Sequence, residues 1–77
     1  MSEAVEYMFD HTKDFVAQLN EQVSSRNASP ISEALLNEMN RVFDNLRVIK
    51  RVHPNIGVLN SFVNDPDTGA QIKVTLL

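Results

Sequence analysis

The sequence predicts an α+β fold in which an antiparallel helical hairpin is followed by a two-stranded β-hairpin, in the order ααββ. Two long segments before Pro54 repeat apolar residues at spacings of three and four, which is typical of amphipathic helices. After Pro54 the repeat changes to two, and the turn sequence DPDTG at 65–69 divides the remainder into two short strands. We expect residues 1–77 to form one domain, completed by dimerisation.

The first helix is predicted over residues 2–24. Ser2 is a suitable N-cap, and Glu3 and Glu6 fall in the first turn, where the helix dipole favours acids. The polar connection at 24–28 has the length that joins antiparallel helices. The apolar face of this predicted helix consists of Val5, Met8, Phe9, Phe15, Val16, Leu19 and Val23.

The second helix is predicted over residues 30–53. Ser29 is placed to cap it, and Pro30 suits the first helical position because proline has no N–H to leave unbonded. Pro54 ends it by disfavouring the helical conformation at His53. Its core face is predicted to contain Ile31, Leu35, Leu36, Met39, Val42, Phe43, Leu46 and Ile49.

The strands are predicted over residues 58–63 and 70–77. Pro66 suits the first corner of the turn, and Gly69 suits a position of positive φ. With a four-residue loop, the strand pairs are Val63 with Ile72, Ser61 with Val74 and Leu59 with Leu76. This register places the apolar side chains on one face and Phe62 on the other.

Length and composition favour a chain that associates with a second copy. A domain of 77 residues without cysteine has a small core and no disulfide to stabilise it. An isolated β-hairpin is marginal in water and has two unpaired edges. We therefore predict a homodimer. The lack of cysteine, of a basic N-terminal leader and of an apolar run of about 20 residues favours a cytoplasmic protein.

The sequence favours a protein that is not an enzyme, with no catalytic, cofactor-binding or metal-binding residues assigned. His11 is expected on the wet side of the first helix and His53 at the end of the second; a minor alternative is a ligand or catalytic site near His53 at a dimer interface. Asp10 and Asp14 would share one helical face, as solvated acids often do. The alternation of Asp65 and Asp67 is interpreted as turn chemistry rather than a cation loop.

A basic patch supports the main functional alternative. Arg47, Lys50 and Arg51 occupy positions i, i+3 and i+4, so they share one face of the second helix and could contact phosphates. The opposing interpretation is a solvated face that offsets the helix dipole, and the net charge of −3 argues against a general nucleic-acid binder. The alternative function is a nucleic-acid-associated regulator.

The preferred interpretation is a small non-catalytic protein-interaction module, such as an adaptor, an assembly factor, an inhibitor or a regulatory subunit. It is expected to bind itself and another protein, without contacting a membrane. Val48 and Val52 lie away from the main apolar stripe, and either form an exposed patch with Phe62 or pack against the chain that leads into the first strand. The predicted interface residues are Val48, Val52, Phe62, Leu76 and Leu77.

Overall fold

The computed structural model describes residues 5–26 and 30–77 and has the element order βααββ. The elements are β1 (Val5–Phe9), α1 (Phe15–Ser25), α2 (Glu33–Val52), β2 (Leu59–Asn64) and β3 (Gln71–Leu76). The class is α+β, but the predicted ααββ arrangement is wrong. A strand precedes the helices, and the sheet has three strands instead of two.

The sheet has the strand order β1-β3-β2, so the last strand of the chain lies in the centre. β1 pairs with β3 in parallel, and Val5 lies opposite Ile72. β2 pairs with β3 in the antiparallel direction. The predicted register of this hairpin is confirmed, since Leu59 lies opposite Leu76 and Val63 lies opposite Ile72. Gly69 has the expected positive φ, at 74°.

The predicted first helix is wrong in its first half, which forms β1. Val5, Tyr7 and Phe9 alternate with polar or half-exposed residues, and β3 supplies backbone partners that a helix would not need. Helix α1 begins only at Phe15, because the Asp14 side chain caps it by accepting from the Ala17 N–H at 2.8 Å. The expected cap Ser2 lies outside the described residues.

The second predicted helix is present as α2, with shifted ends. Its N-cap is Ser32, whose hydroxyl accepts from the Leu35 N–H at 3.2 Å, while the predicted cap Ser29 lies outside the described residues. At the other end, the His53 N–H donates to the Ile49 carbonyl at 2.8 Å. Among the residues the structure describes, neither α1 nor α2 is long and apolar enough to cross a membrane.

Both helices pack on one face of the sheet, and no helix formed by residues 5–26 or 30–77 covers the opposite face. Phe9 of β1 contacts Phe15 of α1 and Phe43 of α2, with ring centroids 5.0 and 5.8 Å apart. Phe15 and Phe43 are themselves 5.1 Å apart. The remaining core residues come from all three strands and both helices: Tyr7, Leu19, Leu35, Met39, Val42, Leu46, Val63, Ile72, Val74 and Leu76.

Candidate functional site

The outer edge of β1 is closed by two glutamine side chains from α1. Gln22 accepts from the Met8 N–H at 3.0 Å and donates to the Met8 carbonyl at 2.9 Å. Gln18 does the same at Asp10, where the two distances are 2.8 and 3.0 Å. Each side-chain amide therefore replaces the peptide group of a fourth strand, and the two amides take up the hydrogen-bonding positions that another chain would use.

Arg26 extends this closure by one more position. Its guanidinium donates to the Glu6 carbonyl and lies over the Tyr7 ring, 4.8 Å from the ring centroid. Positions 18, 22 and 26 are spaced by about one helical turn, and their side chains bond the backbone at residues 10, 8 and 6 in that order. Tyr7 is buried beneath this contact.

The outer edge of β2 has no comparable closure. The Asp65 N–H donates to the Ala70 carbonyl at 2.8 Å, so alternation along the ladder makes the odd-numbered residues of β2 bond to β3. The peptide groups of Asn60, Phe62 and Asn64 then point outward. Within residues 5–26 and 30–77, no hydrogen bond reaches those three peptide groups. The edge carries no charge, no proline and no bulge.

Phe62 stands at the centre of this open edge. It projects from the helix-free face of the sheet and is 54% exposed, whereas its neighbour Val63 is buried under the helices. Across the same face, Thr75 is buried and its hydroxyl donates to the Glu6 carboxylate at 2.9 Å. The middle of the face is thus polar and satisfied, and the exposed ring lies toward the open edge.

The predicted interface residues do not form one patch. Val48 is 47% exposed on the side of α2 that faces away from the sheet, and Phe62 projects from the opposite side of the molecule. Val52 and Leu77 are also exposed. Leu76 is completely buried in the core of its own chain, so its side chain offers no surface to a partner.

The three predicted basic residues line one pocket, together with residues that the sequence did not associate with them. Arg47, Lys50 and Arg51 come from the end of α2, and His11 and Thr12 come from the loop after β1. The His11 Nδ1 lies 3.0 Å from the Leu77 carbonyl, which anchors the loop to the end of β3. Because β1 was predicted as helix, nothing in the sequence placed this loop beside α2. Nucleic-acid contact by the basic residues stays a prediction.

Asp10 is held in a tight turn beside this pocket. Its carboxylate accepts from the Thr12 hydroxyl at 2.6 Å and from the Thr12 N–H at 2.9 Å. These bonds, the hydroxyl bond first, lower the pKa of Asp10. Because its pKa is lower in the folded chain, Asp10 stabilises the fold at neutral pH, and that contribution is lost as the pH falls through the lowered pKa.

Removing the Thr12 hydroxyl should reverse most of the lowering of the Asp10 pKa. In Thr12→Val we expect the pKa of Asp10 to rise toward its ordinary value, because the strongest donor to the charged form is gone. An NMR titration of the side-chain carboxyl carbons measures it. Thr68→Val, in the distant β2–β3 turn, is the control and should leave the pKa of Asp10 unchanged. If the pKa of Asp10 stayed the same in Thr12→Val, the Thr12 hydroxyl would not be the main cause of its lowering.

The histidines and the acid pairs singled out in the sequence lie in loops, in a turn or at a helix end. His53 is the exposed C-cap of α2, and in the described part of the chain its ring makes no hydrogen bond. The prediction that Asp10 and Asp14 share a helical face is wrong, because both precede α1. Asp65 accepts from the Asp67 N–H at 2.8 Å, which confirms turn chemistry. No group of three metal-ligating side chains occurs within the described ranges.

Comparisons of the chain with protein-family models, with curated proteins and with solved structures each found no match. The candidate functional features are therefore inferred from this structure alone. They are the closed edge of β1, the open edge of β2 and the basic pocket. Gln18 and Gln22 were missed by sequence reasoning, since two glutamines four residues apart on a helix acquire a role only when a strand lies beside them.

Proposed function

We propose that the protein is a small, non-catalytic protein-interaction module that acts as a homodimer joined through β2. The observation that supports this is the difference between the two edges of one sheet. Side chains of α1 close the β1 edge, and the β2 edge is left with outward peptide groups and an exposed phenylalanine. An open, neutral edge favours pairing with another strand.

The occupant best suited to this edge is a second copy of β2. Antiparallel pairing about a two-fold axis at Phe62 uses all three outward peptide groups, because Asn60 then lies opposite the partner's Asn64. The two Phe62 rings meet across the axis on the helix-free face. Since residues 58–64 contain no charge, this self-pairing opposes no like charges.

Such pairing stops at two chains. The combined sheet would have six strands and end on both sides in β1, whose edge is already occupied by Gln18 and Gln22. A closed dimer therefore leaves no open edge for further strands. Closure of one edge and not of the other is what a dimer of defined size requires.

The proposal also includes a location and a second partner. The absence of cysteine from the whole sequence fits a reducing compartment, so we place the module in the cytoplasm. The dimer presents two copies of the exposed Val48 and Val52, which lie away from the β2 edge and are the candidate contacts for another protein. Its role as an adaptor, assembly factor, inhibitor or regulatory subunit depends on that partner.

Like charges placed at the two-fold axis should dissociate the dimer, and opposite charges placed there should restore it. Phe62→Lys and Phe62→Glu should each sediment as monomers, because like charges would meet at the axis. Their equimolar mixture should sediment as a heterodimer, because lysine then faces glutamate. Sedimentation equilibrium from about 1 µM to about 1 mM covers the affinities expected of a small interface.

Val48→Asp is the matched control for this experiment, since Val48 is nearly as exposed as Phe62. It should keep both the helical spectrum and the dimer. Dissociation in Val48→Asp with an intact dimer in Phe62→Lys would move the interface to α2. A wild-type chain that stays monomeric throughout the concentration range would refute the homodimer.

A further inference from the structure

We propose that the pocket between α2 and the loop after β1 binds a phosphate group of a small phosphorylated molecule. The pocket is lined by Arg47, Lys50, Arg51, His11, Thr12 and Pro54. It is separate from the β2 edge, so this inference does not depend on the dimer. Its support is a concentration of positive charge that the rest of the chain leaves unbalanced.

The three cations have no acidic partners in the described part of the chain. The ion pair found there joins Arg41 to Glu38 at 2.8 Å, on an earlier turn of α2. This is unexpected on charge balance, because the sequence has ten acids against seven bases. Asp10, next to the loop residues of the pocket, already accepts two hydrogen bonds from Thr12. Asp44, three residues before Arg47 on α2, forms no ion pair with it in the described part of the chain.

The helix dipole does not account for all of this charge. Lys50 and Arg51 lie in the last turn of α2, where cations offset the negative end of the dipole. Arg47 lies before that turn, and the interaction decays within about one turn of the helix end. The dipole is equivalent to about half a charge, so three full charges exceed what it attracts.

One of the cations is fixed in position. The Lys50 ammonium donates to the Ile56 carbonyl at 3.3 Å and to the Gly57 carbonyl at 2.8 Å. An ammonium has three N–H donors, so one remains for a ligand. A charge held by the loop after α2 loses little side-chain entropy when an anion binds.

The spacing of the cations suits a tetrahedral oxyanion. Arg47 and Arg51 are one helical turn apart on one face of α2, with Lys50 beside them. Two guanidinium groups and an ammonium can each contact a different oxygen of one phosphate, and arginine presents paired donors to such oxygens. A terminal phosphate, with its higher charge, gains more from three cations than a carboxylate does.

A nucleic-acid strand fits this site less well. Three cations are few for an extended polyanion, and the net charge of −3 repels one beyond the pocket. Single-stranded nucleic acids also need exposed aromatic rings for stacking. Tyr7, Phe9, Phe15 and Phe43 are buried, and Phe62 lies on the helix-free face of the sheet, away from α2.

The test is an NMR titration of the whole chain with inorganic phosphate and with phenyl phosphate, a simple phosphomonoester, at constant ionic strength. We expect saturable shifts of the amide signals of His11, Thr12 and residues 47–51. Arg47→Gln and Arg51→Gln should each weaken binding about tenfold, the loss expected for one charge-assisted hydrogen bond. Lys50 is left unchanged because its substitution would also release the loop that it holds.

Arg41→Gln is the matched control, since it removes the same charge from the same helix outside the pocket. It should leave the phosphate affinity unchanged. Equal weakening in Arg41→Gln, or shifts that do not saturate by about 10 mM, would reduce the effect to general screening and overturn the proposal. So would an oligothymidylate without terminal phosphate that binds more tightly than both phosphates and loses affinity in Arg51→Gln, since that result assigns the pocket to nucleic acid.

Discussion

Phe9→Ala is expected to lower the free energy of unfolding by about 3–5 kcal/mol, the largest loss from any single substitution discussed for this chain. Phe9 has no exposed surface and joins the sheet to both helices through its contacts with Phe15 and Phe43. Truncation removes the buried ring and leaves a cavity that the two neighbouring rings can fill only partly. Chemical denaturation followed by circular dichroism measures the loss.

Met8→Ala is the control for this prediction. Met8 lies in the same strand, but its side chain projects from the helix-free face and is half-exposed. Its truncation should cost less than about 1 kcal/mol, as is usual for surface positions. Equal losses in the two variants would show that β1 does not alternate between a buried and an open face. They would favour the helix that the sequence predicted there.

The hairpin was predicted correctly because its information is local. Turn residues at 65–69 fix the loop length, and a period of two then determines which side chains share a face. The strand β1 lacks such information. Apolar residues at 5, 7 and 9 fit a strand, but those at 5, 8, 9 and 16 also match the spacing of the following helix. Its partner strand β3 lies more than 60 residues away along the chain.

The prediction of a helix in place of β1 also explains which functional features the sequence revealed and which it did not. Arg47, Lys50 and Arg51 were grouped correctly because helical spacing alone brings them together. His11 and Thr12 were not added to them, because a continuous first helix places residues 11 and 12 on a helix surface instead of in a loop after a strand. Leu76 was assigned to an interface because the end of the second predicted strand is apolar and carries no charge that would protect an open edge. With β1 beside it, β3 is central and Leu76 is buried.

Opening the β1 edge should change both the stability and the size of the assembly. In Gln18→Ala combined with Gln22→Ala, the N–H and carbonyl groups of Met8 and Asp10 lose their side-chain partners. We expect the free energy of unfolding to fall by about 2 kcal/mol, or about 1 kcal/mol for each glutamine. The loss is modest because water can reach much of this edge and replace the missing hydrogen bonds. The amide protons of Met8 and Asp10 should also exchange faster with solvent, as hydrogen-exchange NMR can measure.

When both edges of the sheet are open, association no longer stops at two chains, so the double variant should form larger, concentration-dependent assemblies. Adding Phe62→Lys to the double variant should block pairing through β2 and leave only pairs joined through β1. Glu21→Ala is the control, because Glu21 is exposed on the same helix and takes no part in the hydrogen bonds to β1. It should keep the stability and the size of the wild-type chain. Loss of stability without larger assemblies would mean that a strand edge, even when unpaired, does not recruit another chain in this fold. The pairing proposed for β2 would then lose its physical basis, because both edges of the sheet would be equally open and equally inert.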